Sequence, residues 1–285
     1  MSDAVTAQLI RRSDGAAVIE YLARDPLSNL LLLEQASRLG QAPAAGEMRS
    51  QAAVARRAGE IIGVMGLRPT VVLDAAVESE AIASFLPLLE TVGVGLIKSP
   101  IGPATELWER MCQRAARSTL IDRREIAYLV RPDDARLLPT RDRVPTRLAE
   151  RDDLEPLVIA ARESLREEGR PDPFEGDVLG FRRWVRGRSP RARVIESKGR
   201  VVFVGYADVR RPEGWLLQGV YTWPECRKEG FATAGVSDLC REAFEASADH
   251  VQLAVVEGNV AGRRLYERLG FQPFGTLRTI LFSQA

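Results

Sequence analysis

The segment that most constrains the fold of this 285-residue chain is residues 219–232, GVYTWPECRKEGFA. It predicts the end of a strand, a short loop, and the start of a long helix. The first backbone N–H groups of a helix have no partner within it, and the helix dipole makes that end positive. Gly230 and Ala232 have little or no side chain, so an anion can approach the backbone closely. Residues 227–233, called the cradle below, therefore form a predicted phosphate site, to which Arg227 and Lys228 add positive charge.

Other phosphate motifs do not fit the sequence. No G-x-x-x-x-G-K-[ST] occurs, and Gly93-Val-Gly95 lacks a third glycine and enters an apolar strand. Taken alone, the cradle is equally compatible with tight packing of a helix on a sheet. The loop at residues 99–105 allows two interpretations: an anion site, or a plain turn with Thr105 as the N-cap of the next helix.

The second half of the chain predicts a mixed α/β fold. Apolar residues of the helix after the cradle recur at spacings of three and four, which gives one buried stripe. The apolar run 251–256 predicts a central strand. Predicted strands cover residues 144–148, 193–196, 201–209, 215–221, 251–256, 271–275 and 278–282. Predicted helices cover residues 152–165, 178–185, 231–248 and 260–268.

The first half predicts a similar order of elements without a repeat at the level of residues, which favours a duplicated architecture. Predicted strands cover residues 8–11, 52–58, 61–67, 71–73, 94–98 and 126–130. Predicted helices cover residues 16–23, 27–39, 80–90 and 105–117. Residues 131–143 hold two prolines and many charges, and they predict a linker. We therefore expect an N-terminal domain at 1–130 and a C-terminal domain at 144–285.

Composition excludes several classes of function. The net charge is +1, from 40 basic and 39 acidic residues, which argues against a nucleic-acid binder. The basic run from Arg182 to Arg193 is interpreted as a solvated helix face and loop. Three cysteines without a CxxC pair and a single histidine, His250, suggest neither a disulfide framework nor a metal site. The N-terminus lacks an apolar signal core and no apolar stretch is long enough for a membrane span, so we expect a cytoplasmic protein.

Further motifs follow the cradle in a telling order. After the apolar strand come Glu257-Gly258-Asn259 and then LYERLGF at residues 265–271. Together with R-x-x-G-x-A, this order resembles the GNAT superfamily of N-acetyltransferases over residues 144–282. The pieces at 167–169, 217–221, 224–227 and 279–282 are similar to a group of bacterial tandem proteins in which an N-terminal half of unassigned role precedes a GNAT half. The resemblance implies two tandem GNAT-like domains, the first degenerate because residues 71–78 carry no R-x-x-G-x-A.

The resemblance also implies that acetyl-CoA is the co-substrate and that no metal is needed. In the family, the strand before the cradle pairs with the pantetheine arm, the cradle amides bind the pyrophosphate, and the asparagine contacts the cofactor. The implied cofactor contacts here are Val220, Tyr221, Thr222, Arg227, Lys228, Glu229, Gly230, Phe231, Ala232, Thr233 and Asn259. Tyr266 is implied to protonate the leaving thiolate; the alternative is an ordinary core aromatic residue with a satisfied hydroxyl.

The implied reaction needs a base, because an amine with a pKa near 10 is mostly protonated at neutral pH. The neutral amine then attacks the thioester directly, and a strand N–H stabilises the oxyanion. We expect Glu168 to be the base. The other candidates are Glu167, Asp208, Glu225 and Glu257. Cys226 would permit an acyl-cysteine route, against which its position in the phosphate loop argues.

Three functions are compared. The first is an enzyme that moves an acetyl group to a primary amine of a small molecule, a peptide N-terminus or a lysine. The second is a non-catalytic acyl-CoA sensor. The third is an aminoacyl or long-chain acyl transferase, which the neutral charge does not favour. The sequence leaves open whether the first half shapes the acceptor cleft or mediates formation of a homodimer.

Overall fold

The computed structural model describes residues 4–139, 144–174 and 176–284. The chain divides into two compact units. The N-terminal unit contains the described residues of Met1–Pro43, Met48–Ile126 and Gly275–Ala285, and the C-terminal unit contains those of Ala44–Glu47 and Ala127–Phe274. The domain boundaries predicted from the sequence stay a prediction, and residues 140–143 of the expected linker lie outside the described residues.

The N-terminal half of the sequence forms six strands and four helices within the described residues. They are β1 (Thr6–Leu9), α1 (Gly15–Leu22), α2 (Pro26–Ser37), β2 (Gln51–Arg57), β3 (Glu60–Arg68), β4 (Val72–Leu73), α3 (Ser79–Leu89), β5 (Val94–Pro100), α4 (Ile101–Arg114) and β6 (Arg117–Val130). Strands β1 to β4 form an antiparallel sheet in chain order.

The C-terminal half repeats that order of elements. Its members are β7 (Arg147–Leu148), α5 (Leu154–Glu167), α6 (Val178–Arg188), β8 (Ala192–Ser197), β9 (Arg200–Arg211), β10 (Gly214–Thr222), α7 (Phe231–Glu245), β11 (Val251–Val256), α8 (Val260–Arg268) and β12 (Gln272–Gln284). In the C-terminal unit the strand order is β7-β8-β9-β10-β11-β6.

Each unit takes its last strand from the other half of the sequence. In the C-terminal unit, β11 lies beside β6, while in the N-terminal unit β5 pairs antiparallel with β12 from Leu277 to Ser283. Ile280 and Phe282 of β12 are fully buried in the core formed by β2, β3, α3, β5 and α4. The end of the chain is therefore part of the N-terminal core.

Several predicted boundaries are confirmed and others are wrong. Helix α8 and strand β11 have the predicted bounds. The two predicted terminal strands are one strand, β12, and β6 begins at Arg117, well before the predicted start. Thr105 is not an N-cap, because α4 begins at Ile101 directly after β5, so residues 99–105 form no loop.

The C-terminal core lies between α5, α6 and the face of the sheet that carries Val204, Tyr206 and Tyr221. Helix α7 contributes most of the predicted stripe: Val236, Leu239, Cys240 and Ala243 are buried, whereas Ala232 and Phe244 are only half-buried. Among the helices of the described residues, none combines the length and the apolar character that a membrane crossing requires.

Because β12 is part of the N-terminal core, a substitution in β12 should lower the stability of the N-terminal unit. Phe282 is fully buried, with its ring centroid 5.7 Å from that of Trp108 and the Arg117 guanidinium 5.2 Å from its ring centroid. Phe282→Ala should lower the free energy of unfolding by about 3–5 kcal/mol, because it leaves a cavity in that core. Urea unfolding measures this loss, and Ser283→Ala is the control on the same strand. A loss below about 1 kcal/mol for Phe282→Ala would show that β12 is not part of this core.

Candidate functional site

Strands β10 and β11 separate soon after they meet. Their parallel pairing covers Trp215 with Val251 and Leu216 with Gln252. Beyond Leu216, β10 continues to Thr222 and pairs on its other side with β9. The stretch of β10 at residues 217–222, called the split below, therefore turns its backbone toward β11 without a ladder of hydrogen bonds to it. A ligand with amide groups can pair with such an edge as an added strand would.

The register of β9 and β10 is interrupted twice at the split. The first shift falls between Leu216 and Leu217, and the second between Gln218 and Tyr221. At the second shift, Gly219 has φ +58°, and a Cβ added there would lie 3.0 Å from the Tyr206 ring. This position therefore favours glycine on both conformational and steric grounds.

The cradle follows the split after four residues, of which Pro224–Cys226 form a short 3-10 turn. Gly230 is the N-cap of α7 in the left-handed region, with φ +88°, and it has no side-chain cap. Lys228 also has positive φ. A Cβ added at Gly230 would meet nothing within 4 Å, and the first turn of α7 carries no acidic residue. The N–H groups of Phe231, Ala232 and Thr233 precede the first intrahelical donor, Ala234, which bonds to the Gly230 carbonyl. The local chemistry therefore suits an anion.

Arg227 braces the cradle against neighbouring elements. Its Nε donates to the Thr222 carbonyl at 3.0 Å, and its Nη2 lies 2.6 and 2.8 Å from the two carboxylate oxygens of Glu167 at the end of α5. Its guanidinium also lies 5.7 Å from the Tyr221 ring centroid. The sequence indicated Arg227 as a phosphate ligand, and the structure adds an ion pair that an arriving phosphate would compete with.

The remaining predicted site residues lie on other elements. Asn259 is the N-cap of α8, and its Oδ1 accepts the Gly262 N–H at 2.9 Å. Tyr266 is buried on α8 with its ring centroid 5.6 Å from that of Phe271. Burial raises the pKa of Tyr266 above its usual value, so the hydroxyl stays protonated at neutral pH. Glu168 is exposed at the C-cap of α5, 3.7 Å from Arg170.

The interpretation of the basic run as solvated is right for some residues and wrong for others. Arg183 and Arg186 are exposed. Arg193 is buried and paired with Glu242, while Arg188 and Arg191 approach Asp208 of β9. Helical periodicity separates the exposed face from the buried one, but it does not reveal the carboxylate that β9 supplies. Sequence reasoning therefore missed Arg188 and Arg191 as site residues.

In the N-terminal unit, internal side chains accept backbone N–H groups around β4. Between β4 and α3, the Asp74 carboxylate accepts the N–H groups of Val64 at 2.7 Å and Ala76 at 3.0 Å. Burial raises the pKa of Asp74 to about 6. Asn29 accepts the N–H of Ala75, and Ser99 Oγ accepts that of Leu73. Helix α3 has Glu78 as its N-cap and carries Glu80 in its first turn, and carboxylates at that helix end oppose an external anion.

Comparison with known proteins agrees with this geometry. Residues 156–271 match the family model of the acetyltransferase (GNAT) family. The matched stretch contains the split, the cradle, Asn259 and Tyr266. No curated protein matches the chain significantly.

Solved structures match over nearly the whole chain. A protein from Drosophila has a TM-score of 0.67 at 13% identity and covers 98% of this chain and 99% of its own. A GCN5-related N-acetyltransferase from Sphaerobacter thermophilus has a TM-score of 0.59 at 14% identity, with 99% and 96% covered. A tandem GNAT protein of the clavulanic acid biosynthesis pathway has a TM-score of 0.56 at 16% identity, with 98% and 97% covered. These likenesses show the fold. The predicted mixed α/β fold of the GNAT type is confirmed, and residues 156–271 are similar to the acetyltransferase (GNAT) family.

Proposed function

We propose that the C-terminal unit is an acyl-CoA-dependent N-acyltransferase that moves an acetyl group from acetyl-CoA to a primary amine. The observation that carries the proposal is the continuity of the split with the cradle. One edge of unpaired strand backbone leads through a short turn to a helix N-terminus whose first N–H groups have no partner within the helix. A molecule with an amide-containing arm and a diphosphate matches both parts at once.

In this proposal the split and the cradle together bind acetyl-CoA. The backbone of Val220, Tyr221 and Thr222 pairs with the amides of the pantetheine arm, and the N–H groups of the cradle bind the diphosphate. Asn259, whose Oδ1 caps α8, retains its amide N–H groups for the cofactor. The proposed ligand set is therefore Val220, Tyr221, Thr222, Arg227, Lys228, Glu229, Gly230, Phe231, Ala232, Thr233 and Asn259. No metal takes part in this proposal.

The chemistry is a direct transfer in a ternary complex. The amine nitrogen forms a bond to the thioester carbonyl carbon, the C–S bond breaks, and the amine proton passes to a base, for which we propose Glu168, directly or through water. Tyr266 donates its proton to the departing thiolate. Tyr266 is buried, and within the described residues no hydrogen bond joins its hydroxyl to another protein group.

We also propose that the N-terminal unit is a degenerate copy without an acyl-CoA site. The order of its elements supports this, because β4, α3 and β5 stand where β10, α7 and β11 stand in the second half. The start of α3 supports it further, since Glu78 at its N-cap and Glu80 in its first turn oppose an anion, whereas α7 has Gly230 at its N-cap and no acidic residue in its first turn.

A non-catalytic acyl-CoA sensor is the second candidate. The observation that favours it is the position of Glu168, which is exposed and ion-paired with Arg170 at 3.7 Å. The two functions share the cofactor site and differ in turnover.

Calorimetric titration with acetyl-CoA tests the cofactor site. Wild-type protein should bind one acetyl-CoA per chain with micromolar affinity, and Gly230→Glu should weaken binding on the order of a hundredfold, because a carboxylate at the cradle opposes the diphosphate. Gly230→Asn tolerates the positive φ without adding charge and should keep most of the affinity. Gly102→Glu, at an exposed glycine in the first turn of α4, is the control. Equal affinity of Gly230→Glu and wild type would exclude the cradle.

Kinetics of Tyr266→Phe separate the enzyme from the sensor. If Tyr266 is the proton donor, loss of its hydroxyl should lower kcat roughly a hundredfold while the Kd for acetyl-CoA stays the same. Tyr128→Phe is the matched control, because the buried Tyr128 has its hydroxyl bonded to Glu267 at 2.8 Å. Release of CoA thiol in the presence of primary amines measures both. Acetyl-CoA binding without any transfer by the wild type would favour the sensor.

A further inference from the structure

An acidic residue of β9 lies at the closed end of the split. The register of β9 shifts so that Leu216 pairs with Val209 and Leu217 with Ala207, which leaves Asp208 as the extra residue of a bulge. The same point of β10 is where its pairing with β11 ends. Bulges turn side chains to new directions and are frequent beside active sites. Asp208 is thus placed beside the part of the split farthest from the cradle.

Arg188 holds this carboxylate from the end of α6. Its Nη2 donates to Asp208 Oδ2 at 2.6 Å. Its guanidinium lies 4.9 Å from the Trp184 ring centroid and 4.3 Å from that of Tyr206. The same Nη2 is 3.8 Å from a Cβ built at Gly219, so the pair borders the split. With the side chains of Arg188 and Asp208 only 15% and 11% exposed, the geometry of the pair is fixed by packing as well as by charge.

A segment from the first half of the sequence completes the cluster. Glu47, within Ala44–Glu47 of the C-terminal unit, is ion-paired with Arg191, whose Nη1 is 3.6 Å from Asp208 Oδ1. The segment approaches α6 closely: a Cβ at Gly46 would be 2.5 Å from the Trp184 nitrogen, and one at Gly187 would be 2.2 Å from the Ala45 carbonyl oxygen. We call Glu47, Arg188, Arg191 and Asp208 the charge cluster. It contains two positive and two negative side chains.

One acceptor in the charge cluster has no donor. Asp208 Oδ1 is buried and has no hydrogen-bond partner. It forms an ion pair with Arg191, but the 3.6 Å between Oδ1 and Nη1 is too long for a hydrogen bond. A buried carboxylate oxygen without a donor carries a desolvation cost that a ligand N–H would remove. The charges of the cluster already balance, so it does not call for a further anion. The oxygen calls for a hydrogen-bond donor, and an amine supplies one.

We propose that Asp208 binds the amino group of the acceptor through Oδ1, and that Arg188 and the Glu47–Arg191 pair are positioning residues that hold Asp208 beside the split. This inference rests on the proposed function and adds the group that orients the acceptor nitrogen. It also gives the first half of the chain a part in acceptor binding, through residues 44–47. Asp208 only accepts a hydrogen bond from the amine. The amine proton still passes to the base proposed above.

The test measures the KM for an amine and the Kd for acetyl-CoA separately in the full-length protein. The amine is the best substrate among butylamine, glucosamine, spermidine and a peptide with a free N-terminus. Butanol, which has a hydroxyl in place of the amino group, is the control compound without nitrogen. Asp208→Asn should raise the amine KM roughly tenfold to a hundredfold, because a bond to a charged acceptor is lost. Its Kd for acetyl-CoA should stay within about twofold of the wild type, since Asp208 lies away from the diphosphate site.

Variants of the positioning pair add a readout that a fold defect would not give. Glu47→Gln should raise the amine KM by less than Asp208→Asn does, and Glu47→Asp, which keeps the charge, should recover part of the loss. Glu213→Gln breaks the Arg211–Glu213 pair in the turn after β9 and is the matched control, with no expected change. Circular dichroism and the melting temperature of every variant verify that it is folded.

The possible outcomes distinguish a failure of this inference from a failure of the proposed function. An unchanged amine KM in a folded Asp208→Asn variant overturns the inference and leaves the proposed function intact. A rise in the Kd for acetyl-CoA equal to the rise in the amine KM also overturns it, because the effect would then not be specific to the acceptor. A wild-type protein that binds acetyl-CoA but acetylates no amine overturns both this inference and the transferase. A wild-type protein that does not bind acetyl-CoA removes the proposed cofactor site itself.

Discussion

Unpaired backbone at the junction of β10 and α7 is the constraint on which the rest of the account depends. A strand that leaves its neighbour and a helix that begins without a side-chain cap both expose N–H and C=O groups that secondary structure normally satisfies. Here the strand edge and the helix start are joined by a short turn of the chain. Gly219 in the strand and Gly230 at the N-cap both have positive φ. The site is therefore a property of the backbone, and the side chains around it adjust its charge and access.

The two halves of the chain differ in charge at this junction although their elements follow the same order. In the N-terminal unit, Asp74 and Asn29 bond to the backbone between β4 and α3, and Ser99 bonds to that of Leu73. Helix α3 has Glu78 as its N-cap and Glu80 in its first turn, whereas α7 has Gly230 as its N-cap and no acidic residue in its first turn. Equal order of elements thus allows different chemistry, because the charge at the start of the helix is local and the fold is set by the core.

The sequence predicted best what depends on local periodicity and on backbone chemistry. The bounds of β11 and α8 and most of the buried stripe of α7 follow from short-range patterns. It predicted worst what depends on distant partners. The exchange of β12 into the N-terminal core and the ion pair of Glu47 with Arg191, far apart in the sequence, have no short-range signal. Arg188 was interpreted as solvated because its carboxylate partner lies on another element.

Hydrogen–deuterium exchange with and without CoA tests the central claim most directly, because it reports on the backbone groups themselves. The account predicts that CoA slows exchange at residues 217–222 of the split and at residues 231–233 of the cradle. Exchange at residues 74–81, which run from the end of β4 into the first turn of α3 in the N-terminal unit, should not change. Protection at residues 74–81 in place of the split and cradle, or no protection anywhere at saturating CoA, would contradict it.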